Sequence, residues 1–232
     1  MQTMIERVTG LAARVVLREA TVIRVENMTE GFRRLDLRVG PVAFAAGQKV
    51  QFRVRGLEFR TYTPFAWRQG EVSFLIVRNG SGPAAEWSES LQLGETVQLF
   101  GPRKAMDLGR LAAPPVFIGD ETSLALTAAW RTEGRTPVAA QLYEVASATE
   151  TAGVLDRLEL GGAELLERNG DAPCAEYARR AVQLVERHPH APVVLTGNVR
   201  SIRAVRDAFT AALLAPVVRA KAHWDPNRKA LD

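Results

Sequence analysis

Several short stretches of the chain combine residue types that can bind a phosphorylated ligand with a flat ring. In Arg60-Thr61-Tyr62-Thr63, the guanidinium can form two hydrogen bonds to a phosphate while the phenol ring stacks on a heterocycle. The backbone N–H or the hydroxyl of Thr63 can reach a ring nitrogen. An ordinary strand with a surface arginine and a half-buried tyrosine has the same sequence, so a cofactor site here is a hypothesis.

A glycine-rich turn precedes a predicted helix within the stretch Asn79–Trp87, and Ser81 is the predicted helix cap. Glycines allow a ligand to approach the backbone closely, and free N–H groups at a helix start favour an anion such as a phosphate. A plain strand-to-helix connection has the same composition, so both interpretations stay open. The candidate anion-binding residues are Gly80, Ser81, Gly82, Pro83, Ala84 and Ala85.

Further candidates lie where strands of a predicted parallel sheet end, which is where open α/β sheets bind ligands. The stretch Gly119-Asp120-Glu121-Thr122 is not the G-x-G-x-x-G of a dinucleotide-binding turn, and its two acids disfavour a pyrophosphate there. The acids can equally cap the next helix. Gly197-Asn198 with Arg200 follows a later strand, and Glu144 ends another. Trp224, near the chain end, can cover a flat ligand or seal the last strand.

The first half of the chain shows the period-2 alternation of β-strands. Four segments place alternate apolar residues on one face, and turn signals such as Gly40-Pro41 separate them. Several short strands of this kind favour an antiparallel barrel or sandwich. The predicted inward sets are Thr21, Ile23 and Val25; Leu35, Leu37 and Val39; Val50, Phe52 and Val54; and Val72, Phe74 and Ile76.

From Pro115 onward, short apolar strands alternate with amphipathic helices. This alternation predicts a parallel sheet with helices on both faces. Residues 1–110 and 111–232 are therefore expected to form two domains. The predicted strands are 115–118, 138–145, 163–167, 192–196 and 217–223, and the predicted helices are 121–131, 149–158, 175–187 and 199–214.

Composition restricts the classes of function. The net charge is +4, with an excess of +5 over residues 1–110 and −1 over residues 111–232. The single cysteine excludes an internal disulfide and a cluster held by four thiolates, and the three histidines form no zinc motif, so no metal site is expected. No basic strand is interleaved with aromatic residues, which argues against nucleic acid. Without a long apolar stretch or a secretion signal, we expect a cytoplasmic protein with no membrane span.

In their order along the chain, these motifs resemble the siderophore-interacting protein family, FAD-linked ferric-siderophore reductases of the ferredoxin–NADP reductase superfamily. The resemblance implies an antiparallel Greek-key β-barrel that binds FAD over residues 1–110, then an α/β parallel-sheet domain that binds NAD(P)H over residues 111–232. The barrel is shorter than is usual in the family, and Thr196-Gly197 stands where the superfamily often has Cys-Gly. The matching motifs are Arg60-x-Tyr62-Thr63, Gly82–Trp87, Gly94–Pro102, Gly119–Leu124, Glu144-Val145 and Trp224.

The resemblance also implies residue roles. Arg60 would contact the FAD phosphates, Tyr62 would pack on the isoalloxazine ring, and Thr63 would lie near its N5 atom. Gly82–Ala85 would present N–H groups to the pyrophosphate, and Trp224 would lie near the flavin. The residues implied on the nicotinamide side are Gly119, Asp120, Glu121, Thr122, Gly197 and Asn198.

The implied reaction is hydride transfer from NAD(P)H to the flavin, followed by one-electron transfer to an acceptor. A ferric siderophore suits the basic first half as acceptor, and a reductase for a ferredoxin or oxygenase partner and a non-catalytic flavin-binding module stay open as alternatives. NADH and NADPH also stay open, because Glu144 could repel a 2′-phosphate that Arg200 and Arg203 could attract. The candidate cationic docking residues are Arg103, Lys104, Lys221 and Arg228.

Overall fold

The structure is a computed structural model that describes residues 17–78, 82–134, 137–168 and 175–227. A seven-stranded sheet forms its first part, with one helix between the last two strands. These elements are β1 (Arg18–Asn27), β2 (Phe32–Arg38), β3 (Gln48–Arg55), β4 (Glu58–Tyr62), β5 (Pro64–Arg68), β6 (Glu71–Val77), α1 (Pro83–Ser90) and β7 (Thr96–Lys104).

The seven strands form the predicted antiparallel barrel, in the order β4-β3-β7-β1-β2-β6-β5. The sheet rolls around one apolar core, in which Phe52 of β3 and Phe74 of β6 meet edge to face with ring centroids 4.9 Å apart. The alternation predicted for β2, β3 and β6 is confirmed. The inward residues Leu35, Leu37, Val50, Phe52, Val72, Phe74 and Ile76 are all buried.

The inward face predicted for β1 is wrong over its first part. Ala20 and Val22 are buried in the barrel core, whereas Thr21 is exposed. The pairing of β1 with β2 shifts between Val22 and Arg24, so β1 carries one extra residue there. Such a bulge breaks the period of two, and Val25, beyond it, packs against the core again. An alternation extended backward through the bulge therefore assigns the wrong face.

The second sheet is the predicted parallel one, in the order β10-β9-β8-β11-β12. The helix predicted from Glu121 begins instead with a short 3₁₀ turn, Glu121–Ser123. The remaining elements agree closely with the predicted ranges. They are β8 (Val116–Asp120), α2 (Leu124–Thr132), β9 (Ala140–Val145), α3 (Ala148–Arg157), β10 (Ala163–Glu167), α4 (Ala175–Arg187), β11 (Val193–Asn198), α5 (Val199–Ala211) and β12 (Val218–Trp224).

The two sheets are joined by residues 105–115 and pack against each other directly. Phe65 and Leu75 of the first sheet share one apolar cluster with Leu124 and Ala125 of α2. A hydrogen bond also links the two parts of the chain: the backbone N–H of Gly31 donates to Glu150 Oε2 at 3.0 Å. These contacts hold α2, at the carboxyl edge of the parallel sheet, against β5 and β6. No described helix is long and apolar enough to cross a membrane.

Candidate active site

A cavity of about 790 Å³ lies where the two sheets meet. It brings together residues that the sequence analysis selected from both halves of the chain. Among its described lining residues are three cationic side chains, Lys49, Arg168 and Lys221, and no carboxylate. The predicted site residues that line it are Tyr62, Thr63, Thr122, Asn198 and Trp224.

Tyr62 forms the barrel side of the cavity, at the end of β4. Its ring packs against Phe52 with centroids 5.6 Å apart and against Trp87 of α1 with centroids 6.0 Å apart. Burial raises the pKa of Tyr62 to about 12, although Arg60 opposes the rise, so the phenol stays neutral near pH 7. The middle of α1, the helix that follows the glycine-rich turn, is thereby held near Tyr62.

Arg60 and the described part of the glycine-rich turn lie outside the lining of this cavity. Nη1 of Arg60 donates to the carbonyl of Phe59 at 2.9 Å. Gly82 stands at the N-cap position of α1 with φ of 103°, and the prediction that Ser81 caps this helix falls on a residue outside the described ranges. Gly80 and Ser81 lie outside the described residues. Pro83, Ala84 and Ala85 form the first turn of α1.

Asp120 is the hydrogen-bonding centre on the other side of the cavity, at the carboxyl end of β8. Its Oδ1 accepts from the backbone N–H of Thr122 at 2.9 Å and from the Thr122 hydroxyl at 2.5 Å. Its Oδ2 accepts from the backbone N–H of Asn198 and from Nε1 of Trp224, both at 2.8 Å. Burial raises the pKa of Asp120, and the bonds from Thr122 and Trp224 oppose that rise. With four donors on its two oxygens, the group suits a carboxylate.

Gly119 and Gly197 allow the ends of β8 and β11 to approach each other closely. A Cβ on Gly197, where φ is 109°, would overlap the carboxylate of Asp120, and a Cβ on Gly119 would overlap Ser123. Both positions therefore require glycine if the edge is to close as it does. The prediction that the acids at this edge cap the next helix is correct for Asp120, which caps the 3₁₀ turn.

No protein-family model and no curated protein sequence matches the chain. Solved structures do match. A siderophore-interacting protein from Acinetobacter baumannii superposes with a TM-score of 0.74 at 16% identity, over 92% of this chain and 91% of that one. The ferredoxin reductase in carbazole 1,9a-dioxygenase gives 0.72 at 19% identity, over 90% and 69% of the two chains. The flavohem-like FAD/NAD-binding domain of nitric oxide dioxygenase from Vibrio cholerae gives 0.70 at 16% identity, over 90% and 99%.

The chain has the ferredoxin reductase-like fold. The fold class implied by the sequence resemblance, a barrel followed by a parallel α/β sheet, is thus confirmed. In this fold the cavity lies between the barrel and the carboxyl edge of the parallel sheet, so each sheet contributes one wall of it.

Arg168 is a cavity residue that the sequence analysis missed. It follows the end of β10, and its Nη2 donates to Glu121 Oε2 at 2.7 Å and to the carbonyl of Glu144 at 2.9 Å. Its guanidinium carbon lies 5.9 Å from the ring centroid of Trp224, within the range of a cation–π contact. The signal was present, because Arg168 directly follows a predicted strand, at the edge where the other candidates were found.

Glu144 and Arg200 themselves lie outside the cavity lining, and each is hydrogen-bonded to neighbouring residues. Glu144 is 1% exposed, and its Oε2 accepts from the Ser201 hydroxyl at 2.6 Å. The backbone N–H of Arg200 donates to the side chain of Asn198, which caps α5, and its guanidinium reaches Asn227 at 3.2 Å. A role for either residue in binding a nucleotide stays a prediction.

His223, on β12, also lines the cavity, and its Nδ1 lies 3.0 Å from the Thr122 hydroxyl. Burial first, and then the neighbouring charge of Lys221, lower the pKa of His223 to about 4. The imidazole is therefore neutral near pH 7.

This low pKa predicts a loss of stability in acid. As the pH falls through 6.5, His223 takes up a proton in the unfolded chain but not in the folded one, so stability present above pH 6.5 is lost toward pH 4. At pH 5 the contribution lost is about 2 kcal/mol. Denaturant unfolding of the wild type and of His223→Gln at pH 7 and pH 5 measures it. The wild type should weaken by about that much more than the variant, and equal pH dependence in both would contradict the prediction.

Proposed function

We propose that the protein is an FAD-dependent NAD(P)H oxidoreductase that passes electrons to a ferric chelate, with a ferric siderophore as substrate. The observation that carries this proposal is the cavity itself. It joins the predicted flavin residues at the end of β4 to the predicted nicotinamide residues at the carboxyl edge of the parallel sheet. Hydride transfer requires the two rings to be in contact, and such a junction is where they could meet.

The barrel side of the cavity fits a flavin ring. Tyr62 offers a neutral aromatic ring backed by Phe52 and Trp87, and Leu75 and Val77 add apolar surface. Thr63 adds a polar group beside that ring. A bound flavin would accept a hydride and release its electrons singly, and the protein's part would be to hold and orient it.

The α/β side fits a nicotinamide nucleotide, in spite of the acids at the strand end. Asp120 is surrounded by hydrogen-bond donors, and the charge of Glu121 is paired with Arg168. The sequence-based objection to negative charge at this edge is therefore weaker than it looked, because neither carboxylate lines the cavity. Asn198 remains as a polar residue of this edge that can face the nucleotide, and Thr122 also lines the cavity.

A ferric siderophore is favoured as acceptor by the charge of the cavity. Lys49 and Lys221 would attract an anionic chelate, and one structural neighbour is a siderophore-interacting protein. A reductase for a ferredoxin or oxygenase partner is the second candidate. It is favoured by the ferredoxin reductase among the neighbours and by the basic first half of the chain, which would suit an acidic protein.

Anaerobic titration tests the proposal. Purified protein reconstituted with FAD should lose its yellow absorbance when NADH or NADPH is added, and should recover it with release of Fe(II) when a ferric siderophore follows. Absorbance that persists with both nucleotides would contradict the proposal. Recovery with ferredoxin but with no iron chelate would select the second candidate.

The FAD phosphate role of Arg60 gives a separate prediction. Arg60→Ala should weaken FAD binding by about tenfold or more, since a charge-assisted bond to a phosphate contributes about 1.5–3 kcal/mol. The matched control is Arg38→Ala, which removes an exposed arginine of the same sheet that forms an ion pair with Glu71. Equilibrium dialysis with FAD gives both dissociation constants. Equal constants for the two variants would remove Arg60 from the phosphate site.

A further inference from the structure

The contacts around His223 determine which of its two ring nitrogens carries the proton. Its Nδ1 lies 3.0 Å from the Thr122 hydroxyl, which in turn lies 2.5 Å from Oδ1 of Asp120. A hydroxyl has one hydrogen, and the carboxylate of Asp120 can only accept, so that hydrogen goes to Asp120. The hydroxyl oxygen must then accept from Nδ1 of His223.

A neutral imidazole with its proton on Nδ1 has an unprotonated Nε2, which can only accept a hydrogen bond. The low pKa of His223 agrees with this neutral form. Within the described residues, Nε2 has no hydrogen-bond partner, although the side chain lines the cavity. Thr122 and Asp120 together thus fix the tautomer of His223. Its Nε2 is an acceptor without a partner among the described residues.

The charged groups on the cavity wall have the opposite hydrogen-bonding character to this acceptor. Lys49, Arg168 and Lys221 can only donate hydrogen bonds. A ligand N–H cannot bond to these cations, which have no acceptor, but it would be recognised by Nε2 of His223. The acceptor is therefore suited to an amide or similar N–H group on a ring.

The position of His223 indicates which ring. It lies on β12, one residue before Trp224, and is bonded to Thr122 just beyond β8, so both attachments belong to the parallel sheet. Open parallel sheets bind nucleotides at this carboxyl edge, whereas Tyr62 and Thr63 come from the opposite wall. The acceptor therefore belongs to the nicotinamide side of the cavity.

We propose that Nε2 of His223 accepts a hydrogen bond from the carboxamide N–H of the nicotinamide ring and so selects the amide over the acid. This inference rests on the proposed function, because it requires a nicotinamide nucleotide in the cavity. It gives His223 a role in recognising the carboxamide of the nucleotide. That role is separate from the discrimination between NADH and NADPH, which depends on the 2′-phosphate.

The test compares two oxidised nucleotides, one with nicotinamide and one with nicotinic acid, whose carboxylate has no N–H. Dissociation constants are measured with the FAD-loaded protein, and the constant for the acid nucleotide is divided by that for the amide nucleotide to give a selectivity ratio. We expect His223→Leu to lower that ratio by about tenfold, the usual scale of one hydrogen bond lost together with an unfavourable lone-pair contact. His223→Gln, whose amide oxygen can accept, should restore most of it. The matched control His190→Leu, an exposed histidine after α4, should leave it unchanged.

A second readout needs neither turnover nor a variant that folds. The ¹⁵N signals of the His223 ring in the wild type should show protonated Nδ1 and bare Nε2, and Nε2 should shift when the amide nucleotide binds but not when the acid does. An unchanged ratio in folded His223→Leu, or an Nε2 signal indifferent to the amide, overturns the inference. Failure of the wild type to bind either nucleotide overturns the proposed function instead.

Discussion

Replacing Asp120 with alanine is expected to lower the free energy of unfolding by about 4 kcal/mol, because four hydrogen bonds to a buried carboxylate are lost at about 1 kcal/mol each. The four donors come from three separate places in the chain: both groups of Thr122, the backbone of Asn198 and the indole of Trp224. No other described acceptor is positioned to take them all when the carboxylate is removed. The bond from the Asn198 N–H is buried, and a buried N–H left without a partner is costly because water cannot fully replace the lost acceptor.

Denaturant unfolding at pH 7 measures this loss, and Asp107→Ala is its matched control. Asp107 is paired with Lys104 at 2.8 Å on the surface, where solvent screens ion pairs and they contribute little. A loss for Asp120→Ala no larger than that of the control would show that the four bonds do not hold the strand ends together. The loss for Asp120→Asn should lie between those for Asp120→Ala and Asp107→Ala, because its single amide oxygen can keep some of the hydrogen bonds.

The elements that position the site could be predicted from the sequence because their signals are local. The inward residues of β3 and β6 alternate over a few positions, and α4 is the range 175–187 in both prediction and structure. The rule that ligands bind at strand ends led to Thr122 and Asn198, which line the cavity. Such inferences need no knowledge of which segments meet in space.

The parts that could not be predicted depend on contacts between distant segments. The bulge at Val22 is defined by pairing with β2, and nothing in the residues of β1 alone marks the extra position. The ion pair of Arg168 with Glu121 joins positions 47 apart, and the bond from His223 to Thr122 joins positions 101 apart. The tautomer of His223 follows from Asp120 as a third partner, so it could be inferred only after the three groups were seen together.

Gly197→Ala is expected to destabilise the protein by about 3 kcal/mol, through backbone strain and displacement of a buried carboxylate. Gly197 has a φ of 109°, and an added Cβ would overlap the carboxylate of Asp120, which has no room to move without releasing Asn198 and Trp224. Gly153→Ala is the control, because Gly153 lies within helix α3 with nothing within 4 Å of an added Cβ. That variant should gain about 0.5–1 kcal/mol, so the two changes differ in sign. A gain or no change for Gly197→Ala in denaturant unfolding would contradict the close approach.

The cause of the loss at Gly197 can be separated by a double-mutant cycle with Asp120→Ala. The atoms that the new Cβ would overlap are the carboxylate atoms of Asp120, and alanine at 120 removes all of them. In that background Gly197→Ala should cost only the strain of its positive φ, about 1 kcal/mol. The double variant should therefore lose about 2 kcal/mol less than the sum of the two single variants. Strict additivity would show that Gly197 is required by its backbone conformation alone, and that its contact with Asp120 plays no part.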